Sequence, residues 1–210
     1  MNETTYSRNM QPTSPHRLQV DPRAKGLIFD LDGTLLDSMP LHWKAWYSAC
    51  AHYGAQVERD FFFRHVGKSM SEIASVLIDQ YHIDARIEDI TKLKDELVYA
   101  EMDSVRRIEP VVAIATANYG VRPMSIGTGS NHRRAELMLQ NAGILHYFAA
   151  IVCAEDVVNH KPLPDTFLRC AELMGVEPHE CQVFEDGEPG LNAALAAGMI
   201  ATDVKPFYDF

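Results

Sequence analysis

Asp30 and Asp32 stand one residue apart at the end of a short apolar run, Gly26-Leu27-Ile28-Phe29-Asp30-Leu31-Asp32-Gly33-Thr34-Leu35-Leu36-Asp37. In an extended chain, side chains at i and i+2 leave on the same side, so the two carboxylates would emerge together at a strand's carboxyl end. Like charges this close repel, and the repulsion is relieved by a bound cation or by a proton kept on one of them. The pair is therefore a candidate nucleophile and a candidate acid/base. By itself the stretch also fits a strand, a Gly turn and two solvated acids.

Three later segments repeat the strand-then-chemistry pattern. Met124 to Ser130 reads as a strand, then a Gly-rich turn opening a helix. Backbone N–H groups of such a turn, at Gly129 and beyond, bind anions, and the Thr128 hydroxyl adds a donor. Ser130 and Asn131 stand beside them, and the turn equally fits a helix cap. In His160-Lys161-Pro162-Leu163-Pro164-Asp165, Pro162 holds Lys161 extended, and its compact charge suits phosphate. Val183 to Gly190 is a second apolar strand ending in acids, Glu185 and Asp186. Acids also suit a helix start. With Asp30, Asp186 supplies charge for a hard divalent cation, and magnesium takes a few carboxylates plus substrate phosphate.

The elements that would position these residues alternate. Strands are expected at 26–29, 123–126, 150–153, 182–184 and 199–202, with helices at 108–119, 131–141, 165–174 and 187–197. This alternation predicts an α/β fold, a doubly wound parallel sheet with helices on both faces and ligands at the strands' carboxyl ends. Residues 25–36 and 106–210 would form the core. Residues 37–105 read as an inserted helical cap, with an apolar stripe of Trp43, Trp46, Cys50 and Tyr53, a Ser69/Glu72 capping box, and a charged last helix. In that helix Ile90, Leu93 and Leu97 are the expected buried side, and Lys94 and Glu101 the solvated face. Residues 1–24, polar and aperiodic, read as a mobile tail.

The 210 residues carry a net charge of −10, which argues against a nucleic-acid or anionic-membrane surface. An anionic small substrate would need local positive charge. The four cysteines have neither metal-ligand spacing nor a secreted disulfide frame, and read as reduced packing residues of a cytoplasmic protein. No run approaches membrane-spanning length. A monomer or weak homo-oligomer is expected.

The four segments, in this order from residue 25 to 202, resemble the motifs of the haloacid dehalogenase superfamily. The resemblance implies that Asp30 is phosphorylated in turnover and that Asp32 is the general acid/base, protonated when the leaving group departs. It further implies that Thr128, Gly129 and Lys161 hold the phosphoryl group. Magnesium would be bound by the Asp30 and Asp186 side chains and the Asp32 main-chain oxygen, with Glu185 auxiliary. The Gly-Thr-Gly-Ser turn and Lys-Pro loop look most like the branch containing β-phosphoglucomutase and small sugar phosphatases, the fructose-1-phosphatase type in particular. His42 matches a hinge His of the mutases and equally fits the polar edge of the Trp46 stripe. The mutases carry an Arg three residues after a cap-loop Gly; here Met70 follows Gly67, leaving Lys68 as the cap-loop cation. Met cannot make a bidentate phosphate contact. The expectation is a magnesium-dependent phosphatase of small sugar phosphates, fructose 1-phosphate among them. A phosphosugar mutase is the alternative, and a non-catalytic phospho-acceptor module a third reading.

Overall fold

The computed structural model describes residues 18–65 and 69–208. Gly67 and Lys68 lie outside them. In chain order the elements are β1 (Gly26–Phe29), β2 (Leu36–Asp37), α1 (Met39–His52), α2 (Arg59–Phe63), α3 (Met70–Tyr81), α4 (Ile87–Glu101), β3 (Arg106–Arg107), α5 (Glu109–Asn118), β4 (Met124–Gly127), α6 (His132–Asn141), β5 (Ala150–Val152), α7 (Asp165–Met174), β6 (Cys181–Glu185), α8 (Glu188–Ala196) and β7 (Ile200–Asp203).

Five strands form one sheet in the order β5-β4-β1-β6-β7, and every neighbouring pair is parallel. The chain winds from β1 through β4 to β5, then crosses back to β6 and β7. Right-handed crossovers place helices of opposite winding direction on opposite faces. Accordingly α5 and α6 cover one face, packing Val111, Val112, Ala115, Ala135, Met138 and Leu139 with Leu27 and Phe29. On the other face α7 and α8 bring Phe167, Cys170, Ala171, Ala193 and Ala194 to Ile28 and Val183. Strand β1 is thus apolar at every position because both of its faces are covered. Phe29 and Phe184 stack at 4.9 Å on adjacent strands, and burial of side chains this size stabilises by ~1.5–3 kcal/mol each. The winding reverses beside β1 and β6, so a crevice opens at their carboxyl ends.

Helices α1 to α4 form the insert with a core of its own around Trp46, Cys50, Phe62, Ile73, Leu77 and Ile90. Its helix α3 starts with the expected capping box: the Glu72 amide donates to Ser69 Oγ and the Ser69 amide to Glu72 Oε2, at 3.3 and 2.8 Å. The chain enters and leaves the insert through the antiparallel pair β2–β3, where Leu36 faces Arg107 and Asp37 faces Arg106.

Two sequence expectations differ from the structure. Lys94 is not solvated: it is 4% exposed, on the same face of α4 as Ile90 and Val98. Positions four apart share a helix face, so this lysine points inward with its apolar neighbours. The second difference concerns the expected tail. Residues 1–17 lie outside the described residues, but Leu18 is buried against the core. The Asp21 amide donates to Gln182 Oε1 at 2.8 Å, while Gln182 Nε2 donates to the Gln19 carbonyl at 3.2 Å. No helix among the described residues is long and apolar enough to cross a membrane.

Candidate active site

Asp30 follows the central strand directly. Its amide donates to the Phe184 carbonyl at 3.0 Å, extending the sheet by one rung and fixing the carboxylate beside the end of β6. There Asp30, Glu185 and Asp186 each bring a carboxylate oxygen within 4.8 Å of the others. Lys161 reaches in from the loop before α7. Its Nζ donates to Asp30 Oδ1 and to Glu185 Oε2, both at 2.7 Å. One ammonium bridges two of the three carboxylates. Burial and the neighbouring Glu185 charge push the Asp30 carboxyl well above the usual carboxylate range, with Lys161 opposing. Burial and Glu185 likewise raise Asp186 to about 6. Burial works against the Lys161 charge, but the Asp30 and Glu185 carboxylates outweigh it and raise its pKa.

This all-oxygen donor set fits a hard divalent cation, which would let the acids ionise together. The surrounding backbone leaves space for the acids themselves. Gly33 has φ +86°, and a Cβ there would stand 2.6 Å from Asp186 Oδ2. At Gly190 a Cβ would come within 2.0 Å of Glu185 Oε2. Thr34 Oγ1 donates to Asp186 Oδ1 at 3.1 Å, and Glu185 Oε1 accepts from the Gly187 amide at 2.8 Å, so both acids are held in place. The Tyr208 hydroxyl donates to the Gly33 carbonyl and ties the chain end to this loop.

Asp32 sits in a different environment. It accepts from Ser38 Oγ and Ser130 Oγ, each at 2.6 Å, and lies 3.3 Å from His42 Nε2. Burial tends to raise its pKa, but the His42 hydrogen bond, the nearby Arg134 charge and the Ser130 hydroxyl overcome it and hold the carboxyl low. Asp32 is therefore ionised in this arrangement, where the sequence reading has it protonated at the leaving step. Burial also lowers the His42 pKa, which leaves its imidazole neutral with Nε2 as donor.

Thr128 is buried at the end of β4, where its Oγ1 accepts from the Ser130 amide at 3.0 Å. Gly129 is exposed between them. Asn131 caps α6 by accepting from the Arg134 amide at 2.8 Å, and it also accepts from the Tyr99 hydroxyl of the insert at 3.3 Å. Thr128 and Lys161 thus stand at the ends of strands or loops on the same side of the sheet as Asp30. The suggested cap-loop cation, Lys68, is outside the described residues.

Several contributors were not singled out in the sequence. Ser38, just after β2, holds Asp32. Arg134 donates from Nε and Nη2 to Ser130 Oγ at 3.2 and 3.0 Å, and from Nη1 to Asp95 of the insert at 3.2 Å. Lys94 Nζ lies 3.9 Å from Met70 Sδ, 3.7 Å from Asp95, and 5.8 Å from the Trp46 ring centroid. The one available signal was spacing: Arg134 is four residues beyond Ser130, and Lys94 falls between Ile90 and Val98 at intervals of four.

Comparison with known proteins gives the family. The family model for haloacid dehalogenase-like hydrolases matches residues 27–204. The chain is 44% identical over 184 residues to the fructose-1-phosphate phosphatase of Escherichia coli (strain K12), covering 87% of this chain and 97% of that protein. It is 32% identical to hexitol phosphatase A of the same organism, over 84% of this chain and 81% of the relative. The crystal structure of β-phosphoglucomutase from Clostridium difficile superposes with a TM-score of 0.72 at 23% identity, covering 86% and 84% of the two chains, a likeness of fold. With its acids, lysine and threonine at the ends of a parallel sheet and the family match spanning both insert and core, the chain belongs to the haloacid dehalogenase-like hydrolases.

Proposed function

We propose that this hydrolase is a magnesium-dependent phosphatase of small sugar phosphates, fructose 1-phosphate among them, acting through an aspartyl-phosphate on Asp30. The observation that carries the reading is the clustering of Asp30, Glu185 and Asp186 at the β1/β6 crevice, with the Lys161 ammonium bridging Asp30 and Glu185. The similarity to a fructose-1-phosphate phosphatase supports the substrate class.

In the first half-reaction an Asp30 oxygen attacks phosphorus, the bond to the sugar oxygen breaks, and that oxygen takes a proton from Asp32. In the second, water attacks the phosphorus of the aspartyl-phosphate, gives its proton to Asp32 and releases inorganic phosphate with Asp30 restored. The ionised, triply hydrogen-bonded Asp32 corresponds to the form that takes the water's proton. For the first half it must gain a proton and turn from Ser38 and Ser130. Thr128, the Gly129 turn and Lys161 would hold the equatorial phosphoryl oxygens. Asp30, Asp186 and the Asp32 main-chain oxygen would hold magnesium, with Glu185 beside them; the ion supplies positive charge to the phosphoryl oxygens.

A phosphosugar mutase is favoured by one observation. The buried Lys94 ammonium beside Met70 is a cation available within the insert for a second anionic group. Burial lowers its pKa to about 8, and Asp95 already neighbours it, so it is a weaker clamp than a free guanidinium. Product analysis separates the two. Fructose 1-phosphate and glucose 1-phosphate with magnesium are expected to give free sugar and inorganic phosphate without a bisphosphate activator, and no turnover in excess chelator. Conversion of glucose 1-phosphate to glucose 6-phosphate as the main, activator-dependent reaction would establish the mutase.

A further inference from the structure

We propose that His132, Cys153 and Glu155 form a second metal site, for a borderline divalent ion of the zinc type, distinct from the acid cluster at Asp30. The three side chains come from two loops, the start of α6 and the turn following β5. Each offers a ligand atom, and these atoms lie within 4.8 Å of one another. Ligand atoms in a tetrahedral zinc shell, with bonds of about 2.0–2.3 Å, stand roughly 3.5 Å apart, so modest side-chain rotation brings the set into coordination.

Donor chemistry separates the two sites. Nitrogen and sulfur select a zinc-like ion, whereas the oxygens of Asp30, Glu185 and Asp186 select magnesium. The neighbouring groups already steer the ligands. Glu155 Oε2 accepts from the His132 amide at 2.8 Å. Asp156 Oδ2 stands 2.8 Å from His132 Nε2 and also accepts from the Cys153 amide at 2.7 Å. The Cys153 sulfur accepts the Asp156 amide, a contact that would persist in a metal-bound thiolate. Asp156 is thereby placed to orient the imidazole.

Access favours loading from solvent. Cys153 is the buried floor, Glu155 is exposed, and the His132 side chain is 41% exposed. Burial pushes the free Cys153 thiol up to about 12, and the Asp156 hydrogen bond raises His132. A metal is bound by the Cys thiolate, so loading must displace the Cys153 proton. The same loops carry the phosphate turn. The Thr128 amide donates to the Val152 carbonyl at 2.9 Å and the Ala154 amide to the Ser130 carbonyl at 3.1 Å. An ion bridging His132 and Cys153 would fasten that turn from outside.

Cadmium provides a probe, because its bond to a thiolate gives a charge-transfer absorption in the ultraviolet. Titrated into the full chain under excess magnesium, which occupies the oxygen site, cadmium is expected to saturate this band at one equivalent, and zinc to compete it away. Cys153→Ala, which keeps an apolar floor, should abolish the band. His132→Asn, at an exposed helix start, should weaken cadmium binding about 10-fold or more with the fold intact by circular dichroism. A band that survives Cys153→Ala, indifference to His132→Asn, or no band at stoichiometric cadmium would overturn the proposal. These readouts do not depend on turnover, so a failed phosphatase assay would leave them intact.

Discussion

Lys94 keeps an ammonium group inside the insert, and the cost is visible in its chemistry. Burial, reinforced by repulsion from Arg134, lowers its pKa from 10.5 to about 8. Below about pH 8 both folded and unfolded chains carry the proton, and the folded state bears the full penalty. Between about 8 and 10.5 the unfolded chain binds the proton and the folded chain does not, so stability rises with pH across that window. The shift corresponds to about 3 kcal/mol at most. Lys94→Met, of similar length, is therefore expected to stabilise the protein at pH 7 by about 1–3 kcal/mol, and the advantage should shrink toward zero by about pH 10. Urea unfolding at the two pH values measures this. A variant less stable at pH 7 would mean that the contacts to Asp95 and Trp46 outweigh the burial.

At the scale of elements, the site depends on close approaches at strand ends. Gly190 opens onto Glu185, and an added methyl would meet Oε2 at 2.0 Å. Gly190→Ala should push Glu185 off Lys161 and lower metal affinity by about 10–100-fold, with the fold retained, as read by the magnesium dependence of phosphate release. Unchanged magnesium dependence would remove Glu185 from the site. Arg134 joins α4 to α6 through Asp95 while touching the Ser130 that holds Asp32. Asp95→Asn and Arg134→Gln are each expected to lower kcat/KM, and the double variant to be little worse than Arg134→Gln alone, with a coupling of about 0.5–3 kcal/mol. Strict additivity would show that the bridge does not act through a shared path.

Local sequence pattern makes part of the site legible. Asp30, Asp186 and Thr128 each follow an apolar strand, and Lys161 precedes a Pro-stiffened helix start, so local pattern and tertiary position coincide. Asp32 and Ser130 meet across 98 residues of chain, and no local pattern encodes their contact. Lys94 is hidden by the charged residues around it, although its spacing from Ile90 and Val98 already turns it inward. Leu18 looks like part of a polar leader because the Gln182 side chain that helps dock this segment lies on a distant strand. His132 and Cys153 escape a spacing rule because two separate strand-end loops bring them together.

For the whole molecule, the parallel sheet brings Asp30, Thr128 and Asp186 to the carboxyl ends of its strands, and the insert is joined to the core at β2–β3 and through Arg134. With Asp30 as nucleophile of a sugar phosphatase, the most direct test compares wild type and Asp30→Asn on fructose 1-phosphate with magnesium, following inorganic phosphate and free fructose together. Wild type is expected to release both products in equal amounts, and Asp30→Asn to fold with turnover reduced about 10³-fold or more. Failure of wild type to release phosphate from fructose 1-phosphate or related sugar phosphates, or turnover by Asp30→Asn above a few per cent of wild type, would contradict that role.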